Sequence, residues 1–119
     1  MNLFERAQFD KHLGDMPGVT FVDQWDARVA KVGGKVFALL SDAVPLRLVF
    51  KCGEDSFDIL TALEGVDQAA YFAKRQWVSV TEGAPLSADD LLAYIGRSHA
   101  LVAKGLTKKL RAELGIREG

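Results

Sequence analysis

The stretch Lys31-Val-Gly-Gly-Lys-Val-Phe-Ala-Leu39 (KVGGKVFAL) decides how the first half of this chain folds. Its paired glycines and following lysine suit either a phosphate-binding loop or a tight turn between two strands. A P-loop needs a glycine, then four other residues, then Gly-Lys-Ser/Thr, placed between a strand and a helix. Here Val29 occupies the glycine position and Val36 the Ser/Thr position. The chain therefore lacks the P-loop pattern.

The same glycines suit a β-hairpin. Two-residue hairpin turns require positive φ angles, which glycine adopts at little steric cost. β-branched and aromatic residues flank the pair on both sides, as in paired strands. The stretch therefore predicts a hairpin in which Lys31 pairs with Val36, and Lys35 stands beside Val32 at the tip.

Outward from this hairpin, the chain predicts an antiparallel run of strands. Between Val19 and Phe50, β-branched and aromatic residues dominate and helix caps are missing. This pattern, with a later Gln-Trp-Val-Ser-Val-Thr segment, predicts strands near residues 19–24, 27–32, 35–41, 45–51 and 76–81.

Two helices are predicted before the last strand. Asn2 and Glu5 have the spacing of a capping box, which would open a helix over residues 3–14. Asp55 or Ser56 suits the cap of a second, shorter helix that follows the fourth strand.

Two more helices are predicted after the last strand. Ser87 with Asp90 opens the longest helix, to about residue 104, and Thr107 suits the cap of a helix over 108–114. Helical spacing of the apolar residues in the long helix indicates one buried face. That face consists of Leu91, Leu92, Ile95, Ser98, His99 and Val102.

These elements predict an α+β fold. We expect a two-layer sandwich of one antiparallel sheet, of about five strands, with the first and the long C-terminal helices on one face. The 119 residues suit a single domain over 1–119.

No apolar run approaches the roughly 20 residues of a membrane span, and no signal peptide is visible. The lone Cys52 suits a reducing cytoplasm. We therefore expect a cytoplasmic protein without a membrane partner; a monomer is favoured.

Several segments resemble the YjbR/MmcQ family, in order and spacing, along nearly the whole chain. They are MPGV at 16–19, Trp25, KVGGKVFAL at 31–39, LVFKC at 48–52, KRQW at 74–77 and IGRSHALVAKGLTKKLR at 95–111. The resemblance implies a small bacterial cytoplasmic protein of CyaY-like (frataxin-like) fold. It also implies DNA binding in a double-wing mode, in which two β-hairpins grip the duplex. Two positions depart from the family pattern: His99 replaces its usual Tyr, which removes a hydroxyl group, and Thr107 replaces its usual Pro.

No catalytic or metal-binding group stands out in the sequence. His12 and His99 are far apart, and neither lies near a cysteine or a carboxylate pair at metal-ligand spacing. The apolar stripe around His99 favours a hydrogen-bonded core histidine over a catalytic one. Cys52 alternates in phase with Leu48 and Phe50, which predicts a buried, neutral thiol. Frataxins resemble one another by an acidic ridge, which the sparse carboxylates here do not form. We expect no enzyme activity, no cofactor and no metal.

Basic residues and one tryptophan supply the leading functional hypothesis. Arg47 and Lys51 alternate away from the apolar face of their strand, and Trp77 alternates away from Val78 and Val80. Together with other basic residues they would form a surface that holds phosphates and stacks on bases. The candidate residues are Lys31, Lys35, Arg47, Lys51, Lys74, Arg75, Trp77, Lys104, Lys108, Lys109 and Arg111.

Other interpretations of these residues stay open. Lysines near a helix C-terminus complement the helix dipole, strand lysines can be merely solvated, and Trp77 can cover the sheet. The alternative function is a protein- or small-ligand-interaction module that uses the outer sheet face around Trp25 and Trp77. Because the net charge is −1, DNA binding would require a local basic patch. The leading hypothesis is a non-enzymatic DNA-binding protein that contacts mainly phosphates.

Overall fold

A computed structural model describes residues 1–116, which form one antiparallel sheet with helices packed against it. Its elements, in chain order, are α1 (Arg6–Gly14), β1 (Val19–Gln24), β2 (Ala27–Val32), β3 (Lys35–Ser41), β4 (Arg47–Lys51), α2 (Glu54–Thr61), β5 (Val66–Gln68), β6 (Trp77–Thr81), α3 (Ala88–Ala103) and α4 (Lys108–Glu113). The strand order is β1-β2-β3-β4-β6-β5, and every neighbouring pair is antiparallel. The α+β class is confirmed, with a sixth short strand, β5, that was not predicted.

The Gly33–Gly34 hairpin forms as predicted. Both glycines have positive φ, 58° and 81°, and Lys31 pairs with Val36 while Val32 pairs with Lys35. Beyond this turn the register shifts by one residue in β3. The shift is a β-bulge that points both Phe37 and its neighbour Ala38 at the helices.

The helices cover one face of the sheet and form the main core with it. Phe9 of α1, Phe37 of β3, Phe50 of β4 and Ile95 of α3 are all fully buried there. Burying each such side chain contributes about 1.5–3 kcal/mol relative to leaving it exposed. The predicted placement of the first and the long C-terminal helices on one face is confirmed.

Two predicted helix caps are present. The Ser87 hydroxyl accepts a hydrogen bond from the amide of Asp90 at 3.1 Å, and the Thr107 hydroxyl accepts one from the amide of Leu110 at 3.1 Å. Each hydroxyl satisfies an amide that lacks a partner inside its helix. Thr107 therefore fixes the start of α4.

The predicted capping box at the N-terminus is wrong. The α1 helix begins at Arg6 with Glu5 as its N-cap, and no side chain caps it. The Asn2 carboxamide instead accepts from the amide of Phe4 at 3.0 Å. Asparagine readily makes such a local turn, which competes with a capping role.

The predicted cap of α2 is also displaced. Gly53 is the N-cap, and Asp55 and Ser56 lie in the first turn. Their side chains bind Arg97 of α3 instead, at 3.2 Å from Asp55 Oδ2 and 3.3 Å from Ser56 Oγ. These contacts join the two helices at their surface.

Ser98 fastens α3 to the sheet. Its buried hydroxyl donates to the Phe37 carbonyl at 2.6 Å and accepts from the Lys51 amide at 2.9 Å. Pairing between β3 and β4 ends at Ala38 and Phe50. The hydroxyl therefore satisfies two strand groups just where the strands stop pairing.

His99 is a hydrogen-bonded core residue, as predicted. Its Nε2 lies 2.7 Å from the Pro17 carbonyl oxygen, to which it must donate because that oxygen can only accept. The ring meets Phe37 edge-on, with centroids 5.2 Å apart. His99 thus ties the loop after α1 to α3 through the hydrogen bond that its ring nitrogen donates.

A second, smaller apolar cluster lies on the outer face of the sheet, opposite the helices. Val29, Leu39 and Val49 line it from the strands, and Trp77 joins them from β6. The segment between β5 and β6 folds over this cluster and packs Phe72 against it.

Candidate functional site

Several candidate lysines lie at one end of the sheet, which we call the basic end. Lys31 and Lys35 flank the β2–β3 turn, and Lys51 ends β4 opposite Trp77. Because β2 and β4 are both antiparallel to β3, they run in the same direction and finish at the same end. Lys31 and Lys51 lie on strands that are two inter-strand spacings apart, about 10 Å between the strands.

The C-terminal helices add charge to the basic end. The Lys35 ammonium lies 3.5 Å from the Gly105 carbonyl oxygen, just beyond α3. Arg111 donates to the Lys104 carbonyl at 3.3 Å, which turns α4 back toward the end of α3. This arrangement adds the exposed lysines Lys104, Lys108 and Lys109.

The loop before β6 brings two further candidates to the same end. The Gln76 carbonyl accepts two backbone hydrogen bonds from the residues just after β4. The Arg75 guanidinium pairs with Asp58 at 3.0 Å and lies over the Phe57 ring, 5.5 Å from its centroid. Arg75 is thus engaged within the protein, whereas Lys74 is exposed.

Lysines and arginines have different surroundings within residues 1–116. The ion pairs in this range use Arg6, Arg28, Arg75 and Arg97. Within the same range, no lysine of the basic end forms an ion pair with a carboxylate. Their ammonium groups are therefore available for an external anion.

A group of carboxylates lies at the opposite end of the sheet, which we call the acidic end. The turn after β1 meets the loop after β3 there, with the Asp42 amide donating to the Asp26 carbonyl. The chain after β6 and the start of α3 add further carboxylates to this end. The group is Asp23, Asp26, Asp42, Glu64, Glu82, Asp89 and Asp90. Charge is thus segregated along the strand direction despite the small net charge.

The basic end also contains carboxylates. Asp55 and Asp58 are paired with arginines, and the others within residues 1–116 are Asp15, Glu54 and Glu113. The lysines outnumber these unpaired carboxylates, so the end keeps a positive excess.

Arg47 does not join the basic end, contrary to expectation. It is the first residue of β4, opposite Thr81, and so lies at the acidic end. Alternation along the strand placed Arg47 and Lys51 on one face correctly, but they occupy opposite ends of that face.

Trp77 lies on the outer face as predicted, but its ring is covered. Only 8% of the residue is exposed, and its ring stacks on Phe72 with centroids 4.4 Å apart. The expectation that Trp77 stacks on bases is corrected, because the loop after β5 already occupies the ring's face.

Trp25 is the exposed tryptophan. It forms the β1–β2 turn with Asp26, and both have positive φ, 56° and 53°; 65% of Trp25 is exposed. A cavity of about 490 Å³, which we call the outer cavity, opens beside it on the outer face.

The outer cavity includes residues that sequence reasoning missed. Tyr71 and Phe72, from the segment between β5 and β6, line it together with Leu39 and Val49. Tyr71 is fully exposed at a φ of 69°. No periodic pattern marks this short segment in the sequence, so only the fold reveals the contribution.

Arginines at the acidic end have a structural role. Arg28 binds both carboxylate oxygens of Asp10, at 3.0 and 3.1 Å, and so ties β2 to α1. A hydrogen bond from Arg6 lowers the pKa of Asp23, with further help from Arg28. The stabilisation from Asp23 is therefore present above its unfolded-state pKa and is lost as pH falls through the lower folded-state value.

Cys52 should react far more slowly with a thiol reagent in native protein than in unfolded protein. The side chain is 1% exposed and its thiol lies 3.2 Å from the Gly53 carbonyl oxygen. Burial raises the pKa of this thiol, so the unreactive neutral form is favoured. Timed modification with and without denaturant measures the ratio, and equal rates would contradict the inert-thiol interpretation.

Two further structural findings apply to residues 1–116. No group of three or more His, Cys, Asp or Glu side chains in this range could hold a metal ion. The same range contains no helix with the length and apolar character needed to cross a bilayer.

Comparisons with known proteins agree with this architecture. The family model YjbR matches residues 14–101. A crystal structure of the Deinococcus radiodurans protein DR2400, described by the domain DUF419, is 26% identical with a TM-score of 0.82, covering 94% of this chain and 88% of its own. A Pseudomonas syringae crystal structure is 21% identical with a TM-score of 0.68; the match covers 82% of this chain and 97% of that one. A solution NMR structure from Pseudomonas syringae is 22% identical with a TM-score of 0.58; the match covers 82% of this chain and 91% of that one. The last two show the fold alone. No curated protein sequence matches this chain.

Proposed function

Because the chain belongs to the YjbR family, we propose that it is a non-enzymatic, cytoplasmic DNA-binding protein that holds duplex phosphates at its basic end. The observation that carries this proposal is the segregation of charge. Lysines that form no ion pair within residues 1–116 lie at one end of the sheet, and a group of carboxylates lies at the other. A net charge near zero thus coexists with a local basic surface.

Two hairpins would act as the wings that grip the duplex. The β2–β3 turn carries Lys31 and Lys35, and the loop between β5 and β6 carries Lys74. Both lie at the basic end, and α4 adds Lys108 and Lys109 beside the first wing. The duplex major groove is about 12 Å wide, enough for a two-stranded ribbon.

Lysine contacts of this kind contribute to the affinity for DNA but little to sequence specificity. An ammonium group is a compact point charge that attracts phosphate without the planar, two-bonded geometry of arginine. Phosphate contacts position a protein on DNA but do not read base edges. The binding should therefore be weakly sequence-specific and strongly salt-dependent.

Neutralising Lys108 or Lys109 to Gln should weaken duplex binding equally for all sequences. Each lost phosphate contact should flatten the log–log salt slope by about 0.9. Fluorescence anisotropy with labelled duplex, at low and physiological salt, measures both the affinity and the slope. Arg47→Gln is the matched control, because Arg47 is an exposed basic residue at the acidic end.

Two outcomes would refute DNA binding at the basic end. The wild-type protein could fail to bind duplex even at low salt. Alternatively, Arg47→Gln could flatten the salt slope as much as Lys108→Gln, which would indicate diffuse attraction rather than contacts at the basic end.

A second candidate is a small-ligand-binding module on the outer face. The observation that favours it is the outer cavity beside the exposed Trp25. Docking of the apolar part of a ligand there should respond little to salt, in contrast to phosphate binding.

A further inference from the structure

We propose that the outer cavity binds a flat aromatic anion, meaning a ring system that carries a carboxylate or a phosphate. This proposal deepens the second candidate function, on which it rests, and does not depend on DNA binding. The outer cavity combines a suitable size, aromatic walls, an apolar floor and one charged residue among those that line it.

The outer cavity has the size of a ligand site. Its volume of about 490 Å³ falls in the range of roughly 300–1,000 Å³ typical of small-molecule pockets. A bicyclic aromatic ring with one acidic substituent fits such a volume.

Two exposed aromatic residues form the walls. Trp25 is 65% exposed and Tyr71 is fully exposed, yet both line the same concavity. Both also have left-handed backbone, with φ of 56° and 69°. Bulky residues rarely adopt that conformation, and such residues concentrate at binding sites. A flat ring between these side chains would bury apolar surface that is now in contact with water.

The floor of the cavity is apolar and held in place. Leu39 and Val49 come from the two central strands β3 and β4. Phe72 lies beside them and is fixed by stacking on Trp77. A floor of this kind, anchored on the sheet, keeps its shape without a ligand and so favours binding.

The charge of the cavity selects an anion. Arg47 is the charged residue that lines it; the carboxylates of the acidic end lie at the same end of the sheet, but none of them is among the lining residues. Within residues 1–116, no ion pair engages the Arg47 guanidinium. The Arg47 backbone amide is held by the Ser41 hydroxyl at 2.8 Å, which fixes the start of the strand. The hydroxyl of Ser79 adds a hydrogen-bonding group for the acid.

The probes for the test are 2-naphthoate, 2-naphthyl phosphate, neutral 2-naphthamide and the aliphatic cyclohexanecarboxylate. Calorimetry on the full chain should show binding of the aromatic anions at least tenfold tighter than of the other two. The carboxylate and phosphate probes separate the two sources of anionic charge. Amide shifts in ¹H–¹⁵N spectra should map to residues of the outer cavity, such as Val49 and Ser79.

Matched variants isolate the charge and the ring. Arg47→Gln should weaken 2-naphthoate binding about tenfold and leave 2-naphthamide unchanged. Lys51→Gln is the control, because it removes one charge from the same face at the other end. Trp25→Asn should weaken both probes while keeping the turn, since asparagine tolerates positive φ. Tyr71→Asn is the second ring variant if Trp25→Asn does not fold.

The proposal is overturned if neither aromatic anion binds, or if the amide shifts fall outside the cavity. It also fails if Lys51→Gln weakens 2-naphthoate as much as Arg47→Gln does. DNA binding is tested on Lys108 and Lys109, which lie at the basic end, so either function can fail while the other stands.

Discussion

Gly33→Val should lower the free energy of unfolding by roughly 2–5 kcal/mol, well beyond the effect of Gly34→Val. A side chain at Gly33 has to adopt a φ of 58°, which costs about 1–2 kcal/mol. Its Cβ would also lie 2.6 Å from Cδ1 of Leu106. Such overpacking against a buried side chain costs about 1–3 kcal/mol more.

Gly34 supplies the matched comparison. Its φ is 81°, but an added Cβ would meet no atom within 4 Å. Gly34→Val should therefore carry only the backbone cost, about 1–2 kcal/mol. Urea unfolding of both variants measures the difference. Equal losses would mean that Leu106 moves aside freely and that the hairpin tip is not packed against the C-terminal segment.

Ser98→Ala should lower the free energy of unfolding by roughly 2–4 kcal/mol. The change leaves the Phe37 carbonyl and the Lys51 amide without the hydroxyl that now satisfies both. An unsatisfied buried polar group costs about 1–3 kcal/mol. The side chain is fully buried, so bulk water cannot take its place without local opening.

Ser79→Ala is the control, since Ser79 lies half-buried on the outer face. Urea unfolding should show a much smaller loss for this variant. Hydrogen exchange adds a local test, because the Lys51 amide should exchange faster in Ser98→Ala than in the wild type. If both variants lose the same stability and the Lys51 amide stays protected, Ser98 does not hold the strands.

The main elements could be predicted because their signals are local. Glycines with positive φ mark the Gly33–Gly34 turn, and hydroxyls three residues before an amide mark the starts of α3 and α4. The strand β5 escaped prediction because three residues are too few to show alternation. Its pairing with β6 depends on contacts that the sequence order does not reveal.

The two wrong caps have a common cause. Asn2 and Asp55 both have the right chemistry to cap a helix, but each finds another partner. Asn2 closes its own turn, and Asp55 reaches Arg97 on a helix that is distant in sequence. A capping residue is recognisable from local sequence, whereas its competing partner is not.

The candidate site was predictable only in part, for a similar reason. Alternation indicated correctly that Lys51 and Trp77 face away from the main core. It could not indicate that Phe72 covers Trp77, or that Arg47 lies at the far end from the lysines. Those facts depend on strand direction and on a loop without periodicity.

The two ends of the sheet give the molecule a permanent electric dipole along its strands. In the field of a polyanion this dipole produces a torque, which turns the lysine-bearing end toward the polyanion before any contact forms. A nearly neutral molecule can thus be pre-aligned, so that a larger share of collisions starts in a productive orientation. Added salt would remove this alignment over distances beyond about 8–10 Å, so the association rate would fall along with the affinity.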